Sequence, residues 1–268
     1  MNNMAILTDV TKCIGCEECV AACKKTNQTG KDLPWRWQRK IDDLSASRWT
    51  TVIRKPNHHY VRQQCRHCLQ PACASVCPVG ALHKTPEGPV IYDSNICMGC
   101  RYCMMACPFA IPRYLWSEPV PYVRKCIMCY QKIKSGELTQ PACTNACPQK
   151  ATIYGERSKL LAEAHQRIKD NPKRYIDRVW GEKELGGSSV LYLSDIPLDF
   201  LAWKKNLPDD PLPEKVYGVL KKVPEIFVGV GLGMYGTWWI IERRERLRNG
   251  EDNHNPPAVG PDGKKGRP

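Results

Sequence analysis

Sixteen cysteines are the residues of this sequence best able to do chemistry. They all lie between positions 13 and 147 in four groups of four, so none is left for a disulfide or a reactive thiol. A disulfide framework is typical of small secreted chains, whereas regular groups of four are typical of metal sites. We therefore predict that the cysteine thiolates bind metal.

The first and third cysteine groups share the C-x2-C-x2-C-x3-C spacing of bacterial ferredoxins. In that run three thiolates hold one 4Fe-4S cluster, and the fourth holds the neighbouring cluster. Structural zinc favours paired cysteines that are far apart, so zinc fits this spacing less well. The members are Cys13, Cys16, Cys19 and Cys23 in the first group, and Cys97, Cys100, Cys103 and Cys107 in the third.

The second and fourth groups are copies of each other. QPACASVCPVGA at residues 70–81 matches QPACTNACPQKA at residues 140–151, so the chain contains an internal duplication. With four quartets, the sequence predicts four 4Fe-4S clusters. The members are Cys65, Cys68, Cys73 and Cys77 in the second group, and Cys126, Cys129, Cys143 and Cys147 in the fourth.

The segments between the groups indicate how the quartets pair. Between Cys77 and Cys97 the sequence predicts a strand, a Pro-Glu-Gly-Pro turn and a second strand at residues 90–92, which would place the second and third groups in one ferredoxin-like unit. Strand-like residues 4–7 and 151–154 can pair and close a second unit around the first and fourth groups. Pairing of the first group with the second, and of the third with the fourth, stays open on these residues alone.

The formal charge of +13 would ordinarily suggest a nucleic-acid partner. A 4Fe-4S cluster with four thiolates carries about 2−, so four clusters would lower the charge to about +5, and we predict no nucleic-acid binding. His67 is expected to be packed or hydrogen-bonded rather than a ligand, because its group already has four cysteines. The other basic residues next to ligands are expected to be solvated surface charges; they are Arg66, Arg101, Lys125 and Lys150.

The predicted cluster domain of residues 1–155 contains one insertion and is followed by an extension. The insertion at residues 27–64 carries tryptophans among basic residues and a predicted strand at 49–53, and it is expected to pack over the cluster units and against a protein partner. Its tryptophans are Trp35, Trp37 and Trp49. Residues 156–213 are predicted to be a docking extension.

The docking extension has two predicted elements. A helix at residues 158–169 would be capped by Ser158 and would end ahead of Pro172. A strand-like SSVLYLSD segment follows at residues 188–195, after which a proline-rich connection leads to the C-terminal part of the chain.

The C-terminal part contains a nineteen-residue apolar segment at 223–241 with one charged residue, Glu225. This is about the minimum length for a membrane span, and we predict a transmembrane anchor helix within residues 214–248, with a short buried helix as the alternative. Tryptophans and arginines at its end favour the membrane. Residues 249–268 are predicted to be disordered. The arginines are Arg243, Arg244, Arg246 and Arg248.

Several features of the sequence together resemble a known family. They are the order of the cysteine groups, the single anchor, and the stretches GCRYCMMACPFAIPRY and GEKELGGSSVLYLSDIP. From about residue 5 to 245 the sequence is similar to the iron–sulfur (beta) subunits of membrane-bound respiratory oxidoreductases, most of all those of formate dehydrogenases and of a periplasm-facing nickel–iron hydrogenase. The resemblance implies the pairing of first with fourth and second with third groups. The implied ligand sets are Cys13, Cys16, Cys19 with Cys147; Cys126, Cys129, Cys143 with Cys23; Cys65, Cys68, Cys73 with Cys107; and Cys97, Cys100, Cys103 with Cys77.

Taken together, we expect an α+β fold with two pseudo-symmetric ferredoxin-like units that hold four 4Fe-4S clusters, plus a single C-terminal transmembrane helix. The resemblance implies two partners, a catalytic subunit with molybdopterin or nickel–iron and an integral membrane subunit that reacts with quinone. The chain shows no dinucleotide fingerprint or nucleophile motif, so we expect electron transfer and no catalytic site. A soluble polyferredoxin is the alternative.

The charges that flank the apolar segment predict its orientation in the cell inner membrane. Four arginines after residue 241 outnumber the lysines before residue 223, which places the C-terminus in the cytoplasm and the clusters in the periplasm. The N-terminus carries no twin-arginine signal. We therefore expect export together with a partner, or else a location on the cytoplasmic face.

Overall fold

The computed structural model describes residues 3–30, 44–116, 122–201 and 207–249. The chain forms two compact units, Met1–Lys215 and Val216–Pro268. Trp35 and Trp37, predicted to pack over the cluster units, lie outside the described residues, as does the tail beyond Asn249.

The first unit is a mixed α/β body of short elements between cysteine loops. Its strands are β1 (Met4–Asp9), β2 (Thr51–Lys55), β3 (His59–Gln63), β4 (Leu82–Lys84), β5 (Val90–Tyr92), β6 (Arg113–Tyr114), β7 (Val123–Arg124), β8 (Thr152–Glu156) and β9 (Val190–Leu193). Its helices are α1 (Glu18–Asn27), α2 (Ala72–Ser75), α3 (Tyr102–Ala106), α4 (Tyr130–Lys134), α5 (Ala142–Asn145) and α6 (Arg157–Asp170), with 3-10 turns at Val10–Lys12, Glu184–Gly186 and Asp199–Leu201.

A three-stranded sheet in the order β8-β1-β9 ties the ends of this unit together. β1 is antiparallel to β8, with Ile6 opposite Tyr154, which confirms the predicted pairing of the N-terminal strand with the segment after the last cysteine. On its other side β1 is parallel to β9, with Ile6 opposite Val190. Because β1 is central and covered on both faces, it consists of consecutive buried residues rather than an alternating pattern.

The hairpin predicted between the second and third groups is present as β4 and β5. Its turn includes Gly88 at a φ of +119°, where a Cβ atom would lie 2.7 Å from the backbone oxygen of Met4, so only glycine fits. A second hairpin, β2 and β3, arises from the insertion and includes the strand predicted there, shifted by two residues.

The predicted docking extension is part of the body, since β9 belongs to the central sheet and α6 packs on it. Leu160, Ala164 and Ile168 of α6 lie against the buried face that includes Leu7 and Leu191. A pairing between strands that are distant in sequence cannot be seen locally, which is why the sequence showed only a strand-like segment.

The predicted capping role of Ser158 is wrong. The residue at the N-cap position of α6 is Glu156, and its side chain makes no capping hydrogen bond. Ser158 is the second residue of α6, and its hydroxyl instead donates to Glu156 Oε1 at 2.9 Å.

Helix α7 (Leu212–Leu220) runs across the boundary between the units, and α8 (Val223–Arg248) makes up most of what is described in the second unit. α8 has Pro224 in its first turn, where proline is favoured. None of the described residues of α8 is buried. Judged by length and apolar content, no helix in the described ranges qualifies to cross a membrane. The transmembrane anchor therefore stays a prediction.

Candidate metal centres

All sixteen cysteines are free thiols in this fold. They lie on tight loops whose turns use the left-handed backbone region. In the first group Gly15 has a φ of +72° and Glu17 a φ of +60°, and the third group repeats this with Gly99 at +74° and Arg101 at +68°. The duplication seen in the sequence is therefore also a duplication of backbone conformation.

These loops turn backbone N–H groups towards sulfur. The N–H of Met128 donates to Cys126 Sγ at 3.3 Å, and the N–H of Ile111 donates to Cys107 Sγ at 3.5 Å. Successive N–H groups in such turns form concavities that suit anions, iron–sulfur clusters among them.

Four of the predicted ligands line one cavity in the first unit; they are Cys13, Cys16, Cys19 and Cys147. We call this site 1. Cys147 follows the short helix α5, and its loop reaches β8, so the pairing of β8 with β1 brings the last cysteine next to the first group.

A second quartet, site 2, surrounds Cys23. The Asn27 side chain reaches across it, with Nδ2 3.6 Å from Cys23 Sγ and 3.9 Å from Cys129 Sγ. The Cys23 thiol also interacts with Cys143, which in turn lies near Cys126. Cys23 sits on α1, which packs against α5, the helix that carries Cys143.

The remaining eight cysteines form two more groups. Four of these cysteines line a cavity that we call site 4; they are Cys77, Cys97, Cys100 and Cys103. In the other, site 3, the Cys68 thiol interacts with Cys65, Cys107 and Cys73. The structure thus brings together the same four sets that the resemblance implies, and their role as ligands stays a prediction.

The thiols of these sites suit metal binding rather than free thiolate chemistry. Burial raises the pKa of Cys23 to about 12 and that of Cys73 to about 12, so without a metal both are protonated at neutral pH. A bound metal deprotonates a coordinating thiol outright. Buried thiols held in quartets therefore fit a metal group that supplies the compensating positive charge.

The arrangement of each quartet fits a cluster rather than one ion. Among the described residues, no three His, Cys, Asp or Glu side chains converge on a position for a single metal ion. In a 4Fe-4S cubane each thiolate binds a different iron, so the four sulfurs surround a volume instead of a point. Cavities lined by four thiols, as at sites 1 and 4, have that form.

Comparison with known proteins agrees with this geometry. The pattern of the 4Fe-4S dicluster domain matches residues 56–157. The chain is 40% identical over 262 residues to a protein of Nitratidesulfovibrio vulgaris, covering 92% of this chain and 69% of that one. It is 34% identical over 238 residues to the hydrogenase-2 operon protein HybA of Escherichia coli O157:H7, covering 74% of this chain and 72% of HybA. This chain thus belongs to the iron–sulfur subunits of respiratory oxidoreductases.

A further relative of this iron–sulfur subunit is the B subunit of the anaerobic dimethyl sulfoxide reductase of Haemophilus influenzae. The two are 36% identical over 165 residues, which cover 60% of this chain and 77% of the relative. Like these relatives, the chain is an electron-transfer subunit and not a catalytic one. The family assignment and the 4Fe-4S cofactors predicted from the sequence are thereby confirmed. The specific likeness to formate dehydrogenases stays a prediction.

Two basic residues of this iron–sulfur subunit differ from expectation. Arg66 is 1% exposed and Lys125 is 3% exposed, so the prediction that they are solvated surface charges is wrong. Arg66 stacks on the ring of Tyr192 at 4.8 Å, and the Lys125 ammonium donates to the backbone oxygen of Cys126 at 3.1 Å. Burial removes water from both cations, and cluster-bound thiolates nearby would supply the negative charge that offsets this cost.

The other basic residues follow the prediction. Arg101 and Lys150 are exposed, and Arg101 lies over the Trp116 ring at 4.6 Å. His67 is fully buried, and its Nδ1 accepts a hydrogen bond from the N–H of Val90 at 2.9 Å, which confirms that it is hydrogen-bonded. Burial, with Lys125 and Lys84 nearby, holds the pKa of His67 well below its usual value.

Sequence reasoning missed two cations next to the quartets. Arg62 is 2% exposed and lines the cavity of site 1. The Lys84 ammonium donates to the backbone oxygen of His67 at 3.2 Å. Burial lowers the pKa of Lys84 to about 8, although the neighbouring Cys68 and Cys65 raise this pKa. Both lie on strands outside the cysteine motifs, so no local signal connects them with a cluster.

Proposed function

We propose that this chain relays single electrons through four 4Fe-4S clusters, between a catalytic subunit of the hydrogenase or formate dehydrogenase type and a quinone-reactive membrane subunit. A bound 4Fe-4S cluster takes up and releases one electron at a time. One observation carries the proposal: the chain holds four thiol quartets in a row, each next to the following one.

The order follows from which thiols meet between quartets. Cys19 of site 1 interacts with Cys143 of site 2, and Cys73 of site 3 interacts with Cys103 of site 4. Between these pairs, Cys126 of site 2 interacts with Cys65 of site 3. The four sites therefore form an unbranched series from site 1 to site 4.

The junction in the middle of the series is buried. Cys126 and Cys65 belong to one buried apolar cluster that also contains Ile6, Phe109 and Tyr192. A buried, apolar junction suits electron transfer, because little solvent has to reorganise when the charge moves.

The two ends of the series are at the surface. Beside site 1, Cys16 and its neighbour Ile14 are exposed, the latter to 54%. Beside site 4, Met98 is 65% exposed and Met105 is 86% exposed. Exposed apolar side chains at both ends, and a buried middle, are what a relay between two protein partners requires.

The nature of the partners rests on the relatives and on α8. One relative is named as a hydrogenase-2 operon protein and another as part of a dimethyl sulfoxide reductase, so we infer a nickel–iron or molybdopterin catalytic subunit. Helix α8 exposes apolar side chains on all faces, including Phe227 at 74% and Leu232 at 67%. A helix that is apolar all round is normally covered, and we propose the membrane with its integral subunit as the cover.

For the location we propose the inner membrane, with the cluster body in the periplasm and the C-terminus in the cytoplasm. The support is the excess of arginine after residue 241. A reporter that works only in the periplasm, fused after Pro268, should be inactive. Activity of that fusion would place the clusters on the cytoplasmic side.

Iron analysis tests the cluster count. We expect about sixteen iron and sixteen sulfide per chain, four of each per quartet. A native preparation that saturates near eight iron, or that binds zinc stoichiometrically, would contradict the proposal. Mass spectrometry of the polypeptides that co-purify in mild detergent tests the partners, and a chain that always purifies alone would favour a soluble polyferredoxin.

A further inference from the structure

A single buried arginine lies between sites 1 and 2. Arg62 is on β3 of the insertion hairpin, and its side chain lines the cavity that holds the four thiols of site 1. It also interacts with Cys143 and Cys126 of site 2. No other cation is placed in this way among the described residues that line the site 1 cavity.

The hydrogen bonds of Arg62 orient the guanidinium but do not neutralise it. Nε donates to Thr50 Oγ1 at 3.1 Å, Nη1 donates to Thr152 Oγ1 at 3.0 Å, and Nη2 donates to Gln64 Oε1. All three acceptors are uncharged. Within the part of the chain that the structure describes, no Asp or Glu forms an ion pair with Arg62.

A buried cation without a carboxylate needs another source of negative charge. The sulfurs of Cys143, Cys19 and Cys126 lie close enough to the guanidinium to interact with its charge, and as cluster ligands they would supply the negative charge that it lacks. Arginine suits this position because its planar fork can bind three acceptors and still present its charge to both quartets.

We propose that Arg62 is the shared counter-cation of sites 1 and 2 and raises the reduction potentials of both clusters. The inference rests on the four-cluster relay proposed above. Each cluster gains one negative charge on reduction, and a fixed cation nearby favours the reduced form. Because Arg62 faces both quartets, removing its charge should change two of the four potentials together.

The experiment is a redox titration with dithionite as reductant, followed by electron paramagnetic resonance, on the full-length chain in the complex in which it is isolated. In Arg62→Gln we expect two of the four reduction equilibria to become at least tenfold less favourable, a fall of about 59 mV each. The other two should not move. In Arg62→Lys, which keeps the charge, all four should stay near their native values.

Lys150→Gln is the matched control, since it removes one positive charge that is exposed three residues after Cys147. Solvent screens that charge, so we expect a much smaller shift than in Arg62→Gln. An Arg62→Gln protein with four unchanged potentials, or one in which all four shift equally, would overturn the proposal. So would a lysine variant that shifts as far as the glutamine variant.

Cluster loss is also informative. If Arg62→Gln loses iron while Arg62→Lys retains it, the sites require the charge, which supports the proposal. Iron loss in both variants would mean that they require the shape of the guanidinium, which contradicts it. Failure of the relay itself is distinguished by iron analysis of the native chain, which does not depend on Arg62.

Discussion

Gly15 and Gly99 occupy equivalent positions in the duplicated ferredoxin loops, yet we expect alanine to be far more damaging at the first. Both residues have positive φ, and a left-handed alanine costs about 1–2 kcal/mol. At Gly15 a Cβ atom would also lie 2.3 Å from Cδ1 and 2.7 Å from Cγ of Tyr60, whereas nothing lies within 4 Å of a Cβ atom at Gly99. Overpacking of this kind typically adds about 1–3 kcal/mol.

Gly15→Ala should therefore lower the free energy of unfolding by about 2–5 kcal/mol, and Gly99→Ala by only about 1–2 kcal/mol. The assay is guanidinium unfolding followed by circular dichroism, with iron per chain measured on the same anaerobic samples. Because the clash lies between Cys13 and Cys16, we also expect Gly15→Ala to lose the iron of site 1 first.

A double-mutant cycle identifies the cause. In a Tyr60→Ala background, Gly15→Ala should cost no more than Gly99→Ala does, which corresponds to a coupling energy of about 1–3 kcal/mol between positions 15 and 60. Equal costs for the two glycine variants in the native background would refute the reasoning, and so would a cycle without coupling.

Three further predictions concern hydrogen bonds, pH and the second unit. Asn27→Leu and Tyr114→Phe each remove the donor of a long hydrogen bond to sulfur, at Cys23 (3.6 Å) and Cys103 (3.7 Å) respectively. Each variant should lower one cluster potential, by about 20–45 mV if the hydrogen bond is worth about 0.5–1 kcal/mol. A redox titration with no shift would contradict this. Hydrogen bonds to the backbone oxygen of Pro56 and to Asp195 raise the pKa of His59. The contribution of the protonated His59 to stability is therefore complete below the ordinary His pKa and is lost as pH rises through the higher pKa of the folded state. Asp195→Asn should lower the pKa of His59 measured by nuclear magnetic resonance. A chain that stops after Lys222 should keep its iron but leave the membrane fraction, because every cysteine precedes that point; sedimentation with membranes in the absence of partners would show that residues 223–241 are not the anchor.

The cluster loops could be predicted from sequence because the ligands are closely spaced and their turns are local. The β4–β5 hairpin was equally readable, since a Pro-Glu-Gly-Pro turn between two short strands needs no distant partner. The burial of Arg62 could not be predicted, because it depends on the packing of the insertion hairpin against Thr152, which lies ninety residues further along the chain. The same holds for β9, whose parallel pairing with β1 joins opposite ends of the body.

The predicted exchange of ligands across the β8–β1 pairing would set an order for synthesis. Every thiol of sites 3 and 4 has been translated once Cys107 has left the ribosome, so the interior of the chain can mature alone. Site 1 must wait for Cys147, and the sheet that holds this residue beside Cys13 is complete only when β9 has been made. The N-terminal ligand loop, although translated first, is therefore among the last parts to be finished, and until then a nascent chain exposes reactive thiols that need protection from oxygen and from the wrong metal.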